Sequence, residues 1–472
     1  MSAPDRSAPD GRAVAVLDIG KTNVKLFAAS PDGLALEHVS APNRTIAGPP
    51  YRHHDLAGLE DWLLEGLRDL GRRHDIAAIV SAAHGSGGVL VGETGPALPM
   101  VDYEQDVPSE VQADYVRAVG SYRERGSAVM LGAAHLARQM LWMERHRPDD
   151  FAKAKAFLAT PQYWAFRLSG VAAGEVTSLA AQSHLWSPAD ARPTRLVASR
   201  GWERLMPPMR RAYETLGRLK PDLAARTGLS RETRILCGIH DSSANFYRYQ
   251  AAGLSDLTVV STGTWIVSLT DRTGIDFDVE RPGRSCNADV FGRPMPGMLT
   301  MGGREFQAVA AGEAGPADPA MLHRIVSGGT FAIPSFGSDD GLFPGTARTG
   351  RIAGPLGDEP GARFTLAVLY TALLAAECLE DLPPARTIVL DGGFVQDPMF
   401  GRILAALLPG SRVLVNHDPF GTATGAALLA GHEMRTRPAP LDAERPDVAG
   451  LPDLSSYRSR WRDLTRQKES AR

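Results

Sequence analysis

Residues 14–29, Val-Ala-Val-Leu-Asp-Ile-Gly-Lys-Thr-Asn-Val-Lys-Leu-Phe-Ala-Ala, bring a carboxylate, a cation and hydroxyls to one tight turn. An apolar strand delivers Asp18 into Gly20-Lys21-Thr22-Asn23, and a second apolar strand leads away. A hairpin tip of this kind offers unpaired backbone N–H groups beside a carboxylate, the parts that hold a phosphate and its magnesium ion. Such a turn is also common in hairpins that bind nothing. Residues 257–270, Leu-Thr-Val-Val-Ser-Thr-Gly-Thr-Trp-Ile-Val-Ser-Leu-Thr, repeat the design. Gly20 falls on Gly263, Val24 on Val267 and Leu26 on Leu269. Two such hairpins far apart in one chain point to a duplicated α/β domain. A cleft between the halves is then the expected ligand site, and a nucleoside triphosphate is the ligand that two phosphate grips would suit.

Asp241 is the second carboxylate of interest. It stands in Gly238-Ile-His-Asp-Ser-Ser-Ala-Asn245, where a short strand (236–239) gives way to a helix expected to reach Gln250. Its chemistry is that of a base at the positive end of a helix; its purely structural alternative is a helix N-cap. Asp391-Gly392-Gly393-Phe394-Val395-Gln396 also follows a strand, and its glycines let a ligand lie against backbone.

The elements that would position these groups follow from hydrophobic spacing. Leu56, Leu59, Leu63, Leu67 and Leu70 predict a helix behind an Asp55 N-cap. Ile76–Ser81 reads as a buried strand running into His84-Gly85. Thr160 to Gly170 reads as a helix capped by Thr160 and closed by Gly170. A long apolar helix is expected over 362–382, and an Ala/Gly-rich helix over 422–431. The segments 187–230 and 331–360 read as peripheral. The domains are taken as 12–248, 249–432 and a polar tail over 433–472.

At 472 residues with net charge −3, the chain has ample apolar content for two or three domains and no basic stripe for nucleic acid. The polar arm 1–10 lacks an apolar leader core, and no stretch reads as membrane-spanning. Cys237, Cys286 and Cys378 are unpaired by any motif, which suits a reducing cytoplasm and argues against a zinc site. No G-x-G-x-x-G follows a strand, which excludes a dinucleotide dehydrogenase.

From about residue 13 to 431 the chain resembles the FGGY family of carbohydrate kinases. The motifs that carry the resemblance are Asp18-Ile-Gly-Lys-Thr22, His84-Gly85, Thr160-Pro-Gln-Tyr-Trp164 and Glu175-Val-Thr-Ser-Leu179. They continue, in the family's order, with Gly238-Ile-His-Asp241, Ser261-Thr-Gly-Thr264, Asp391-Gly-Gly393 and Gly421-Thr-Ala-Thr-Gly-Ala-Ala427. The resemblance implies an α/β protein of two ribonuclease-H-like domains, of the actin and hexokinase kind, with ATP and sugar in the cleft between them. It implies Asp241 as catalytic base, Asp18 as the magnesium carboxylate, and Gly20, Lys21, Thr22 and Asn23 as the first phosphate clamp. Thr262, Gly263 and Thr264 become the second clamp, and Gly392, Gly393, Phe394 and Gln396 the adenosine loop. His84, Gly85, Asp102, Glu104 and His240 become candidates to read the sugar. The nearest kin look like kinases of fuculose, rhamnulose, ribulose or xylulose.

The chain departs from the family pattern at three places. Lys21 stands where many members have a hydroxyl, Ala83 where many have Gln or Met, and Asp102-Tyr103-Glu104 replaces a more common Asp-x-Arg. Two rival readings share the architecture: an ATPase of the chaperone or filament type, and a sugar sensor without catalysis. The expected partner is a small sugar, with neither nucleic acid nor membrane, and a homodimer is compatible with the sequence.

Overall fold

The computed structural model describes residues 12–130, 132–338, 341–357 and 359–470, with the side chains of 467–470 excepted. The polar arm read above as lacking a leader core therefore lies outside the described residues.

Two sheets organise the chain. The first runs, in spatial order, Thr215–Arg218, Arg234–Leu236, Ile76–Ala83, Ala13–Ile19, Asn23–Ala29 and Ala35–Pro42. The second runs Arg284–Ala288, Pro294–Thr300, Ile266–Thr270, Leu257–Thr262, Thr387–Gly392 and Arg412–Val415. Each contains the same unit. An antiparallel three-strand meander begins with the motif-bearing hairpin, and two strands parallel to the hairpin's first strand extend the other side. The duplication expected from the two hairpins is thus present as topology. Parallel strands covered on both faces must be apolar throughout, and Val14–Leu17 and Leu257–Val260 are buried accordingly.

The turns are tight for local reasons. Gly20 N–H donates to Asn23 O at 3.0 Å, closing the first tip. In the second, Gly263 N–H donates to Trp265 O at 2.9 Å. Gly392 has φ +89°, and a Cβ there would stand 2.0 Å from Thr262 O, so only glycine fits.

Helices fill both faces. Leu56–Gly71 carries its leucines inward behind Asp55, whose side chain accepts from Gly58 N–H. Thr160–Ser169 starts one residue earlier than expected: Thr160 is its first residue, Ala159 is the cap, and the Thr160 hydroxyl turns to Met100 Sδ at 3.3 Å. Gly170 closes that helix at φ 82°, as its position suggested. Ala362–Glu380 is long and apolar enough to cross a membrane by length and composition. It is the buried core helix of the second half, packed among Ile325, Leu390, Ile403 and Leu404.

Past residue 432 the chain does more than trail off. Leu454–Ser470 is a helix docked on the second half, with Leu454, Tyr457 and Trp461 buried. Trp461 Nε1 donates to Ala332 O at 2.7 Å, and Arg458 and Arg462 each lie 2.9 Å from Glu377 Oε1. These contacts also buttress Phe331–Ile333, part of the stretch expected to be a surface excursion.

The helices Asp241–Ala251 and Gly421–Leu429 follow the fifth strand of each unit and cross against one another. A Cβ on Gly425 would meet Ala244 O at 1.8 Å. The G425V variant should therefore lose the crossing and fail to fold stably, read as a large fall in thermal midpoint. Replacing Trp461 by Ala should destabilise the second half by about 3–5 kcal/mol in urea denaturation. An unchanged midpoint in W461A would show that the last helix contributes nothing to that core.

Candidate active site

The strands bring their C-terminal ends to one place. Asp18 ends the first strand of the first unit, and Ser261 occupies the same register position in the second. Both line a single cavity of about 210 Å³ together with Lys25, Asn245, Asp391, Gly392 and Gly421. The two hairpins thus share one hollow.

Asp241 is the first residue of its helix, with His240 as the cap, so the expected alternative of an Asp241 N-cap is not the arrangement found. Its Oδ1 accepts from Ser242 N–H at 2.5 Å and lies 3.1 Å from His240 Nε2. Part of the carboxylate remains open. Burial pushes Asp18 up to about 7, and the Asp241 charge adds to that, with Lys25 opposing. Two facing carboxylates under-compensated by protein cations match what a divalent ion completed by phosphate oxygens would offset. Among the described residues no group of three or more His, Cys, Asp or Glu is gathered to hold a metal without such oxygens.

His240 is positioned from outside the cleft. Its strand, Ile239–His240, pairs with Ala82 and Ala83, and its N–H donates to Thr177 Oγ1 at 3.0 Å. That hydroxyl donates in turn to Glu175 Oε2 at 2.6 Å. Glu175 is fully buried and accepts from Thr177 N–H, Ser178 N–H and both hydroxyls. The Glu-Val-Thr-Ser motif, quoted above only as a family marker, is the support on which His240 and Asp241 rest. Burial lowers His240, against the pull of Asp241, so its ring is neutral.

The candidate sugar residues also gather. His84 follows the central strand, its N–H donating to Ile19 O at 3.3 Å, and both ring nitrogens are buried without a protein partner. Burial pushes this imidazole well down, with Asp241 pulling up and His240 and Lys21 pushing down. Gly85 has a packing reason: a Cβ would meet Ala181 Cβ at 2.7 Å. Asp102 is almost fully buried, paired with Lys21 and, at 2.6 Å, with Arg52 Nε. Burial works against its charge, but Lys21, the Glu104 N–H and Arg52 outweigh it and hold the carboxyl below the usual range.

Other residues go where the sequence did not indicate. Lys21, expected in the first phosphate clamp, gives its ammonium to Asp102 and lies 3.7 Å from Glu104 Oε2. His54, not singled out from the sequence as a site residue, is buried beside His84 with ring centroids 6.3 Å apart. Thr262 was expected to offer its hydroxyl to phosphate. That hydroxyl donates to Asp391 O at 2.6 Å and accepts from Phe394 N–H at 3.0 Å, which ties the second hairpin to the glycine loop. Gly263 and Thr264 stay exposed at the cleft, as do Thr22 and Asn23.

Next to Gly393 lies a second cavity, about 390 Å³, lined by Phe306, Phe364, Val368, Phe394, Gln396 and Phe400. Phe306 packs against Phe394 at 5.4 Å and edge-on against Phe364 at 5.5 Å, which gives this cavity an aromatic wall. Phe306 and Phe364 were not singled out from sequence; isolated phenylalanines carry no local signal.

Comparison with known proteins agrees with this geometry. Residues 13–246 match the model of the FGGY family of carbohydrate kinases, N-terminal domain, and residues 254–438 match the carbohydrate kinase FGGY C-terminal domain. A carbohydrate kinase from Novosphingobium aromaticivorans is 31% identical, covers 97% of this chain and 99% of its own, and superposes with a TM-score of 0.87. The ligand-bound xylulose kinase from Lactobacillus acidophilus shares the fold at 16% identity and a TM-score of 0.76, with 98% of each chain covered. L-fuculokinase of Escherichia coli (strain K12) is 25% identical over 299 residues, 60% of this chain and 62% of that protein. The chain therefore spans less than two thirds of that curated relative's length. With both of its halves matched in order and a 31% identical structure covered nearly end to end, the chain belongs to the FGGY family of carbohydrate kinases.

Proposed function

We propose that this protein transfers the γ-phosphoryl group of ATP to a hydroxyl of a ketose or related polyol. The observation that carries the reading is Asp241: a partly open carboxylate at a helix start, near enough to Asp18 at the same sheet's edge for its charge to raise that group, and flanked by His240. In transfer, the acceptor oxygen bonds to the γ-phosphorus as the bond to the β-bridging oxygen breaks, and Asp241 takes the hydroxyl proton. The exposed hairpin tips, Thr22 and Asn23 on one side and Thr264 on the other, would grip the phosphates, with the Gly20 and Gly263 N–H groups holding the two turns closed. Adenine would occupy the cavity beside Phe306, Phe364 and Phe394, with Gly393 and Gln396 on its lining and Gly392 on the neighbouring one. Asp18 would hold magnesium, which when bound supplies charge neutralisation on the β- and γ-phosphates.

The L-fuculokinase and xylulose kinase names of the relatives favour a ketose acceptor. The chaperone-type ATPase and the silent sensor lose weight, because Asp241, Asp18 and a polar pocket occur together in a chain of a kinase family. Use of ATP, and three buried unpaired cysteines, favour a cytoplasmic setting.

An ADP-release assay across ketoses, aldoses and polyols should show sugar-dependent turnover for a narrow set of neutral acceptors. Sugar-independent hydrolysis alone would favour the ATPase. Replacing Asp241 by Asn should lower kcat by about 100-fold or more and leave binding of a non-hydrolysable ATP analogue within about twofold; retained turnover would move the base elsewhere.

Asp18 gives a pH test. Its folded-state pKa of about 7 lies above the ordinary aspartate value of 3.8, so the native chain binds this proton more tightly than the unfolded chain. The associated stability is complete below about pH 4 and is lost as pH rises through 7. D18N removes that loss. Its thermal midpoint should exceed the wild type's at pH 8 and converge with it at pH 5, in the absence of magnesium. Equal midpoints at pH 8 would mean that Asp18 carries no such strain.

A further inference from the structure

Lys21 sits on the phosphate-gripping hairpin, yet its ammonium is committed to the segment that carries Asp102. It meets Asp102 Oδ1, lies 3.7 Å from Glu104 Oε2, and stands 5.3 Å over the Tyr103 ring. Its side chain is 18% exposed, so it is not a free cation swinging above the turn. Asp102 is 4% exposed, and Arg52 Nε occupies its other oxygen at 2.6 Å.

A second strut runs beside the first. Asn43 Nδ2 donates to Gly20 O at 2.9 Å, and Asn43 N–H donates to Thr22 O at 2.8 Å. With its amide nitrogen so engaged, Asn43 presents Oδ1 to His54 Nδ1 at 3.1 Å, and that nitrogen must carry the proton. His54 Nε2 is left as a bare acceptor, buried and without a partner, next to His84, whose two ring nitrogens are equally unpartnered. Burial pushes His54 down to about 4, with His84 and Lys21 adding to the effect, so the ring stays neutral. Unpaired buried polar atoms beside the candidate acceptor residues mark where ligand hydroxyls belong.

We propose that Lys21 is a specificity-determining residue of the acceptor site: it neutralises Asp102 and completes, with Glu104, His54 and His84, a wall that selects an uncharged polyhydroxy acceptor. This inference rests on the kinase reading above and names the residues that set its acceptor class. The charges of the wall cancel, with Lys21 and Arg52 against Asp102 and Glu104. The neutral histidines supply one donor and two acceptors for hydroxyls. An acceptor bearing a carboxylate would bring a third negative group beside Glu104 and Asp241, with Lys21 and Arg52 already engaged by Asp102.

The two roles open to Lys21 are separable by experiment. K21M, K21R and D102N are compared with wild type in two measurements: calorimetric affinity for a non-hydrolysable ATP analogue, and acceptor KM and kcat. The acceptors are D-xylulose, L-fuculose and D-ribulose, with D-gluconate as the acidic comparator. K21M should raise acceptor KM tenfold or more and leave nucleotide affinity within twofold, K21R should recover most of the loss, and D102N should resemble K21M. Wild type should use gluconate at least tenfold less efficiently than its best neutral acceptor. A tenfold loss of nucleotide affinity in K21M with acceptor KM unchanged overturns the proposal and restores Lys21 to the phosphate clamp. Equal effects on both ligands, or on neither, overturn it too, since the pair is then only a strut. If K21M does not fold, K21M/D102N leaves no buried charge from that pair and is read by the same criteria. Wild type inactive on every neutral sugar would instead sink the kinase reading, while the nucleotide measurement still reports on Lys21.

Discussion

The site depends on how closely two helices approach. Asp241–Ala251 and Gly421–Leu429 are the same element of the two copies, and they meet where Gly425 lies against Ala244. Gly421 repeats the theme one turn earlier, where a Cβ would stand 2.1 Å from Asn245 Oδ1. Larger side chains at either glycine would force the helices apart. The helix that begins with Asp241 then sends three side chains into the second half. Asn245 Nδ2 and Tyr249 OH each donate to Asp391 Oδ2 at 2.7 Å, and Arg248 pairs with Asp418 at 2.7 Å. The carboxylate at one end of this helix and the glycine loop after Asp391 are therefore held by one rod. Displacing it would move the base and the nucleotide loop together.

Beside the acidic end of that rod, Asp18 is held against its own electrostatic preference. Burial raises Asp18 to about 7 and the neighbouring Asp241 charge adds to that, while burial drives His84 neutral. Nothing in the fold requires this; Asn at either position would pack as well and avoid the repulsion. Proteins keep such conflicts at working sites, where a ligand's charge resolves them. The wall formed by Lys21, Arg52, Asp102 and Glu104 is the contrasting case, since its charges are already balanced. On the Asp18 side Lys25 does not offset burial and the Asp241 charge, whereas the Lys21 side is balanced, which separates a place for cation and phosphate from a place for neutral hydroxyls.

What could be read from sequence was local. Both hairpins, the Asp55 cap, the Gly170 stop and the strand before Asp391 follow from residues within one element, and each forms as expected. Contacts across long sequence separations were not legible. Lys21 reaches Asp102, 81 residues on, and nothing near Lys21 announces it. The Thr262 hydroxyl is taken by a loop 129 residues away. The last helix is a different kind of miss. Leu454, Tyr457, Trp461 and Leu464 recur at three- and four-residue steps, an inward face that the surrounding arginines and serines diluted. Periodicity there outweighs mean polarity, because one buried stripe is enough to dock a helix.

Glu175 shows why a motif can matter without touching a ligand. Burying a carboxylate is unfavourable, and burial raises its proton affinity against the four hydrogen bonds it accepts. Those bonds fix the Thr177 hydroxyl as a donor toward Glu175, which leaves its lone pairs for the His240 N–H. A threonine with a free rotor could satisfy His240 in several poses; with its proton committed, it has one. The backbone before Asp241 is thereby set from a buried anchor on a separate helix, Val176–Ala180, rather than by its own strand alone, which is only two residues long. A short strand cannot aim a carboxylate without such an anchor, and here the aim comes from Glu175 through two hydrogen bonds.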